Sequence, residues 1–497
     1  MSRSVWFGGI ESPEFPRFSG SADADVAVIG GGITGLAAAD LIARSGRSVI
    51  VVDMRQPGEG ETGHTTAHLT VAFDRGYQTV AKKIGEQAAE LIAIASASSI
   101  DWLEARSRAL GSGRFERVDG WIYSEAEKDV KWLVEEATAS VNAGLDCRWE
   151  DHAPLPFTTK GAIRYPRQAR FHPLEFCYAL IDDLQKRGVT FHGDSKVVEV
   201  EDGSPCRVKI EGGGEITARD VVVATNVPVI DRVVMQTRLY AYRTYAIAVA
   251  ATGDDPDALF FDTMEPYHYI RIQDTPDGKF LIVGGEDHRT GTETETERHI
   301  ENLEAYTTER FGKRETKYHW SGQIIETPDG LPYAGLNPGA EHVYVATGYE
   351  GQGFTMGVAS AGTIANLILR EENALAELLS PGRIEIAAGA WKYLKENLEF
   401  PLHFLPDRLT RSDVNAPSTD EVPRGEGRIV AIDGEKCAAF RDEAGQVHLL
   451  SPVCPHLGCD VRWNGEESSW DCPCHGSRFD PKGKVLNGPA RRDLSRK

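Results

Sequence analysis

Two short stretches near the C-terminus carry the residue types best suited to chemistry. CPHLGC spans Cys454–Cys459 and CPCHGS spans Cys472–Ser477, so two Cys-x-(x)-His pairs lie close together in the chain. Two thiolates and two imidazoles in that spacing suit a 2Fe–2S centre in which one iron takes sulfur ligands and the other nitrogen. Cys454 and Cys472 are the candidates for the first iron, His456 and His475 for the second. A Cys2His2 set also suits zinc. Zinc loops do not usually add a second cysteine to each stretch or a Gly-Ser after the histidine, and here Cys459, Cys474, Gly476 and Ser477 do both. Four of the eight cysteines crowd into this region, whereas Cys147, Cys177, Cys206 and Cys437 are scattered and read as buried thiols.

The second chemistry-bearing segment lies at the other end. DVAVIGGGITGLAAADLIARSGRSVIVVD runs from Asp25 to Asp53. Val26–Ile29 is an apolar run of the kind that forms a buried parallel strand. Gly30, Gly32 and Gly35 follow as GxGxxG, then a helical pattern, then a second apolar strand ending in Asp53. Gly30 suits the tight turn, Gly32 a close approach of a pyrophosphate, and Gly35 helix–strand packing. The helix N-terminus favours the diphosphate charge, and Asp53 can accept from ribose hydroxyls. A dinucleotide cofactor at one end and an iron–sulfur centre at the other point to electron transfer. No second strand–GxGxxG–helix unit for a nicotinamide nucleotide is found, and Gly212–Gly214 reads as a hairpin tip.

From Asp25 to about Leu369 the chain resembles the D-amino-acid oxidase-like family of FAD-dependent oxidoreductases. The resemblance rests on TGHTTAHLT at Thr62–Thr70, Phe171–Glu201, ARDVVVATN at Ala218–Asn226, TPDGLPYAG at Thr327–Gly335 and VYVATGYEGQGFTMGVASAG at Val343–Gly362. It implies FAD as cofactor, with Thr65 and Thr66 in a loop against the flavin. Gly348, Gly351 and Gly353 surround the strand-to-helix turn that approaches the ring. Amino-acid-oxidising members place a carboxylate-clamping arginine before the Asp-Gly stretch, where this chain has Gln323 in HWSGQIIETPDG. An amide cannot supply bidentate charge-assisted bonds, so free amino acids lose support as substrates. Arg271, beside Tyr269 in the strand Tyr267–Arg271, is the replacement candidate; Tyr269, Arg271 and Gln323 form the catalytic set expected here. His64 in the flavin loop is read as a hydrogen-bonding group rather than a covalent attachment, and Glu350 as a residue near the ring or an exposed loop carboxylate.

The C-terminal part resembles the Rieske proteins of cytochrome bc complexes. That resemblance implies a disulfide between Cys459 and Cys474, a Ser477 hydroxyl donating to a bridging sulfide, and Leu457 shielding the cluster. The family's tyrosine two residues after the serine is Phe479 here, which implies a lower potential.

These elements imply an α/β chain. Its Rossmann-like FAD-binding domain is built from residues 24–76, 161–230 and 326–370, interleaved with an α+β substrate domain from 77–160 and 231–325. Residues 371–420 form a connector, with a short Trp391–Asn397 helix, and 421–497 an all-β Rieske domain. A formal net charge of −21 and the lack of any basic run exclude a nucleic-acid partner. No apolar stretch is long enough for a membrane anchor and no signal segment is evident, so the expected address is the cytoplasm. The expected activity is oxidation of a small amine-type substrate by hydride transfer to FAD, with electrons leaving singly through the cluster to an external acceptor. Two alternatives are flow in the reverse direction from a donor protein and a redox-sensing module without an organic substrate.

Overall fold

The computed structural model describes residues 3–230, 234–383 and 418–497. Ser21–Ile29 lies near the centre of the first sheet, whose order is Tyr333–Leu336, Val343–Thr347, Gly214–Val223, Ser21–Ile29, Val49–Val52, Thr190–His192. All neighbours are parallel except the edge strand Tyr333–Leu336. Parallel strands need crossovers that cover both faces, which explains why Val26, Ala27 and Val28 are wholly buried in a run rather than alternately. The Ile33–Ala43 and Thr355–Leu369 helices are apolar nearly all round and share one core with these strands. Cys206–Ile210 pairs antiparallel with Gly214–Val223 through the expected glycine tip, where Gly212 and Gly213 have φ of 94° and 100°.

The second sheet has nine strands. Its path is Thr316–Glu326, Tyr240–Ala250, Gly278–Arg289, His268–Thr275, Leu259–Asp262, Glu116–Ser124, Gly161–Arg170, His68–Leu69, with Arg148–Glu150 beside Gly161–Arg170. The expected hairpin is present, from His268 opposite Gly285 to Thr275 opposite Gly278. One boundary is corrected. Gly161–Arg170 pairs with Glu116–Ser124 in this sheet, so the second flavin-domain segment begins after Arg170, with the Pro173–Lys186 helix. An apolar strand between two domains can join either sheet, and here eight antiparallel residue pairs with Glu116–Ser124 decide the matter.

The C-terminal unit is all β. Gly427–Ile432, Glu435–Arg441 and Val447–Leu450 form one sheet; Arg462–Asn464, Ser469–Asp471, Arg478–Phe479 and Val485–Asn487 form another. The two Cys/His loops lie beside the second sheet and share a core with Trp470 and Phe479. The expected Trp391–Asn397 helix and most of the connector lie outside the described residues. Among the described residues, no helix is long and apolar enough to cross a membrane.

Candidate functional site

A cavity of about 270 Å3 runs from the ends of the parallel strands to the face of the second sheet. At its first end Gly30 has φ 104°, and a Cβ there would collide with the Ala224 carbonyl; a Cβ at Gly35 would collide with the Gly30 carbonyl. Only glycine permits this turn and this helix–strand approach. Asp53 accepts from the backbone N–H of Gly31 at 2.7 Å and of Arg55 at 2.8 Å, while burial pushes its carboxyl up from the usual range. Gly32, Thr65, Thr66, Gly351 and Gly353 also line the cavity. Gly348 does not; its φ of 81° makes the turn, and a Cβ there would strike Thr327. Glycine cradle, cavity and carboxylate together fit an FAD.

At the far end the walls are Tyr267, Tyr269, Phe261, His68 and Thr244. Tyr269 Oη lies 2.7 Å from Thr244 Oγ1. Asp74 and Glu350 also face the cavity. Arg75 grips both Glu350 oxygens, with Nε at 3.0 and 2.9 Å, and reaches Glu326 at 2.8 Å. Asp74 is exposed to the open cavity, yet desolvation by the surrounding walls pushes its carboxyl up to about 6, and burial pushes the Asp287 carboxyl up to about 7.

Arg271 requires a correction. It is 0% exposed and absent from the cavity wall. Its guanidinium donates to the carbonyls of Thr66, Ala67 and Phe171 and to Gln273. A fully buried cation committed to backbone carbonyls braces the Thr66–Ala67 turn from behind and is not free to hold a substrate carboxylate. The N-terminal segment joins this brace. Trp6, also buried, donates through Nε1 to Thr65 O at 2.6 Å, and its ring lies 5.4 Å from the Arg271 guanidinium.

The two Cys/His loops have matching backbones. Gly458 N–H donates to Cys454 O and Gly476 N–H to Cys472 O, both at 3.0 Å. Cys454 Sγ is within hydrogen-bonding reach of Cys472, the Ser477 hydroxyl and the backbone N–H groups of His456 and Leu457. Cys472 likewise receives the N–H groups of Cys474 and His475. The His456 and His475 rings lie 5.0 Å apart at 87°. Paired sulfurs in a cradle of N–H donors, opposite two imidazoles, fit a 2Fe–2S cluster. The disulfide Cys459–Cys474 ties the loops together. Leu457 is 45% exposed beside the half-buried His456, while His475 is buried.

The loop carrying His475 is buried by the rest of the chain. Gln323 lines the flavin cavity, and its Nε2 donates to Gly476 O at 2.8 Å. Glu61 accepts from Gln323 N at 2.5 Å and from Asn487 Nδ2 at 2.8 Å. Arg55 donates to Leu486 O at 2.6 Å, and Val485–Gly488, Ala490 and Arg491 complete the cavity wall. Arg243, Glu467, Arg478 and Asp471 form a buried charged chain across the same seam.

Comparison with known proteins agrees with this geometry. The model for FAD dependent oxidoreductases matches residues 25–367, and the Rieske [2Fe-2S] domain model matches 413–496. The chain belongs to the FAD dependent oxidoreductase family. The oxidoreductase carries a C-terminal Rieske domain and, as its families imply, takes FAD and a 2Fe–2S cluster. It is 29% identical over 495 residues to the putative Rieske 2Fe-2S iron-sulfur protein YhfW of Bacillus subtilis, covering 99% of this chain and 96% of that one. It is 22% identical over 369 residues to gamma-glutamylputrescine oxidoreductase of Escherichia coli, covering 71% and 85%. In fold it is similar to glycine oxidase from Geobacillus kaustophilus, with a TM-score of 0.61, 19% identity and coverage of 73% and 99%.

Of the expected catalytic set, the structure brings Tyr269 and Gln323 to the cavity and holds Arg271 behind it. Glu61, Asp74 and Asn487 were not singled out by sequence reasoning, because no motif marks a residue whose partner lies hundreds of positions away.

Proposed function

We propose that this oxidoreductase oxidises a small amine-type substrate at FAD and passes the electrons through its Rieske cluster to an external acceptor. Gln323 carries this reading: one side chain lines the flavin cavity and bonds the carbonyl next to His475. The similarity to gamma-glutamylputrescine oxidoreductase supports an amine. Bound FAD supplies a hydride acceptor and the cluster a one-electron carrier.

The protein's own groups orient both centres. We assign Gly30, Gly32, Gly35, Asp53, Thr65, Thr66, Gly351 and Gly353 to FAD binding, and Cys454, His456, Cys472 and His475 to the irons. Gln323 is the positioning residue between them, and the rings of Tyr267, Tyr269 and Phe261 wall the far end of the cavity.

Anaerobic stopped-flow mixing of holoenzyme with an amine panel tests the reading. Flavin bleaching followed by cluster reduction is the expected order. With flavin photoreduced in the absence of substrate, Gln323→Leu should slow cluster reduction about tenfold, the equivalent of ~1.4 kcal/mol, the weight of one buried hydrogen bond. An unchanged rate in the variant would count against it. Reduction of the cluster first by a ferredoxin-type donor, with flavin following, would reverse the direction.

A further inference from the structure

The cavity is electrically lopsided. Its basic wall residues apart from histidine are Arg55, Lys196 and Arg491, which gather at the end with Gly30, Asp53 and Ser195. That end suits the two phosphates of a dinucleotide. Among the described wall residues the aromatic end has no arginine or lysine. Asp74 and Glu350 face the cavity there, and Glu326 and Asp287 stand behind them. Arg75 is bonded to this group, and its donors go to Glu350 and Glu326. Burial pushes the Glu350 carboxyl up to about 8, so the negative charge that faces the cavity here at neutral pH is carried mainly by Asp74. Asp74 accepts the backbone N–H of Gly351 at 2.7 Å.

The other walls at this end are ring faces. His68 lies 5.1 Å from Phe261 and 5.4 Å from Tyr269, and Tyr267 lies 5.8 Å from Tyr269. Burial and the neighbouring Arg271 push His68 well below its ordinary range, so it adds no positive charge. Rings beside a carboxylate attract an organic ammonium ion. A separate observation also points to a donor ligand. Gln323 is 3% exposed and lines the cavity; with its Nε2 spent on Gly476, its Oε1 has no hydrogen-bond partner among the described residues. A buried acceptor of this kind is costly unless a ligand N–H meets it.

We propose that the aromatic end of the cavity binds the ammonium group of an alkylamine without a carboxylate, between Asp74 and the rings of Tyr267, Tyr269 and Phe261. The proposal rests on the oxidoreductase reading above and narrows its substrate to cations. Amino acids are disfavoured, because their carboxylate would meet Asp74, and among the described wall residues at this end no arginine or lysine is present to receive it.

The probes are n-butylammonium and butyrate, equal in chain length and opposite in charge, titrated into FAD- and cluster-replete enzyme under anaerobic conditions. Perturbation or bleaching of the flavin spectrum by butylammonium, with butyrate binding at least about tenfold more weakly, is expected. Asp74→Asn should weaken butylammonium about tenfold while keeping the acceptor for Gly351 N–H. Tyr269→Leu, a second variant should Asp74→Asn lose flavin, should weaken it about fivefold and leave butyrate unchanged. Butyrate binding as tightly as butylammonium, neither probe binding, or unchanged affinity in flavin-replete variants overturns the proposal. Photoreduced flavin reoxidised by the cluster, followed without any ligand, scores the relay separately. An intact relay with a butyrate-preferring cavity defeats only this inference; butylammonium binding without a relay defeats the earlier reading.

Discussion

Gly476 is where the flavin-bearing part and the cluster loop meet most tightly, and its replacement by alanine gives the sharpest test of the seam. Its φ is 73°, and a Cβ would collide with Ala241 Cβ and lie 2.8 Å from Gln323 Nε2. A non-glycine residue in that conformation costs about 1–3 kcal/mol, and overpacking a filled contact costs a further ~1–3 kcal/mol. Gly476→Ala should therefore strain the loop by ~2–6 kcal/mol and push it away from Gln323. Ala241→Gly removes the colliding methyl but leaves the backbone strain, so the double variant should recover about 1–3 kcal/mol, the packing share alone. The assay is stopped-flow reduction of the cluster after flavin reduction, together with thermal unfolding and the visible cluster spectrum. Slower transfer and a lower Tm in the single variant, both partly restored in the double, are expected. Unchanged transfer in Gly476→Ala, or no recovery on adding Ala241→Gly, would refute the idea that this contact sets the spacing of the centres.

Arg271→Leu strips donors from the Thr66, Ala67 and Phe171 carbonyls, each worth about 1–3 kcal/mol. Differential scanning calorimetry should show a large loss of stability, with FAD retention falling in parallel, rather than a pure KM effect. Phe479→Tyr adds a hydroxyl in the core shared with Cys454 and Cys472. If it donates to a cluster sulfur, the midpoint potential should rise by about 60 mV, equivalent to ~1.4 kcal/mol for one electron, in an EPR-monitored redox titration. Butylammonium affinity should fall as pH drops through about 6, where Asp74 takes a proton. The groups facing Asp74 are Arg75, Glu326, Glu350, Asp287, Tyr267 and Tyr269; Arg75 keeps its charge, and Glu350, up at about 8, and Asp287, up at about 7, begin to protonate before Asp74. Kd measured from pH 5 to 8 by flavin absorbance checks the sign, and a Kd rising with pH would contradict it. The same raised carboxyls bind protons more tightly folded than unfolded, so Asp74 and Asp287 favour the fold below the ordinary carboxylate range. That contribution is lost as pH rises through about 6 and 7.

Local chemistry is what the sequence made readable. The turn at Gly30–Gly35, the acid at Asp53 and the paired Cys/His loops are motifs in which every functional part lies within a few residues. Their backbone geometry is set by glycine freedom, a helix start or a tight loop, and none of these needs a distant partner. Tyr269 and Gln323, expected in the catalytic set from a strand and from a departure from a family pattern, line the cavity. Arg271 was misread because an arginine in a strand has the same sequence appearance whether it faces a ligand or a ring of carbonyls. The boundary at Gly161 was misread for a related reason: an apolar strand pattern does not state which sheet it joins.

Sequence alone determined the two cofactor types and the order of the domains, because these follow from short-range patterns of glycine, cysteine, histidine and apolar runs. Tertiary structure decided how the two ends of the chain meet. Glu61 reaches Asn487, Arg55 reaches Leu486, and Gln323 reaches Gly476, each across more than a hundred residues. Such contacts depend on packing among whole sheets, where shape and burial choose the partner and no local spacing records the choice.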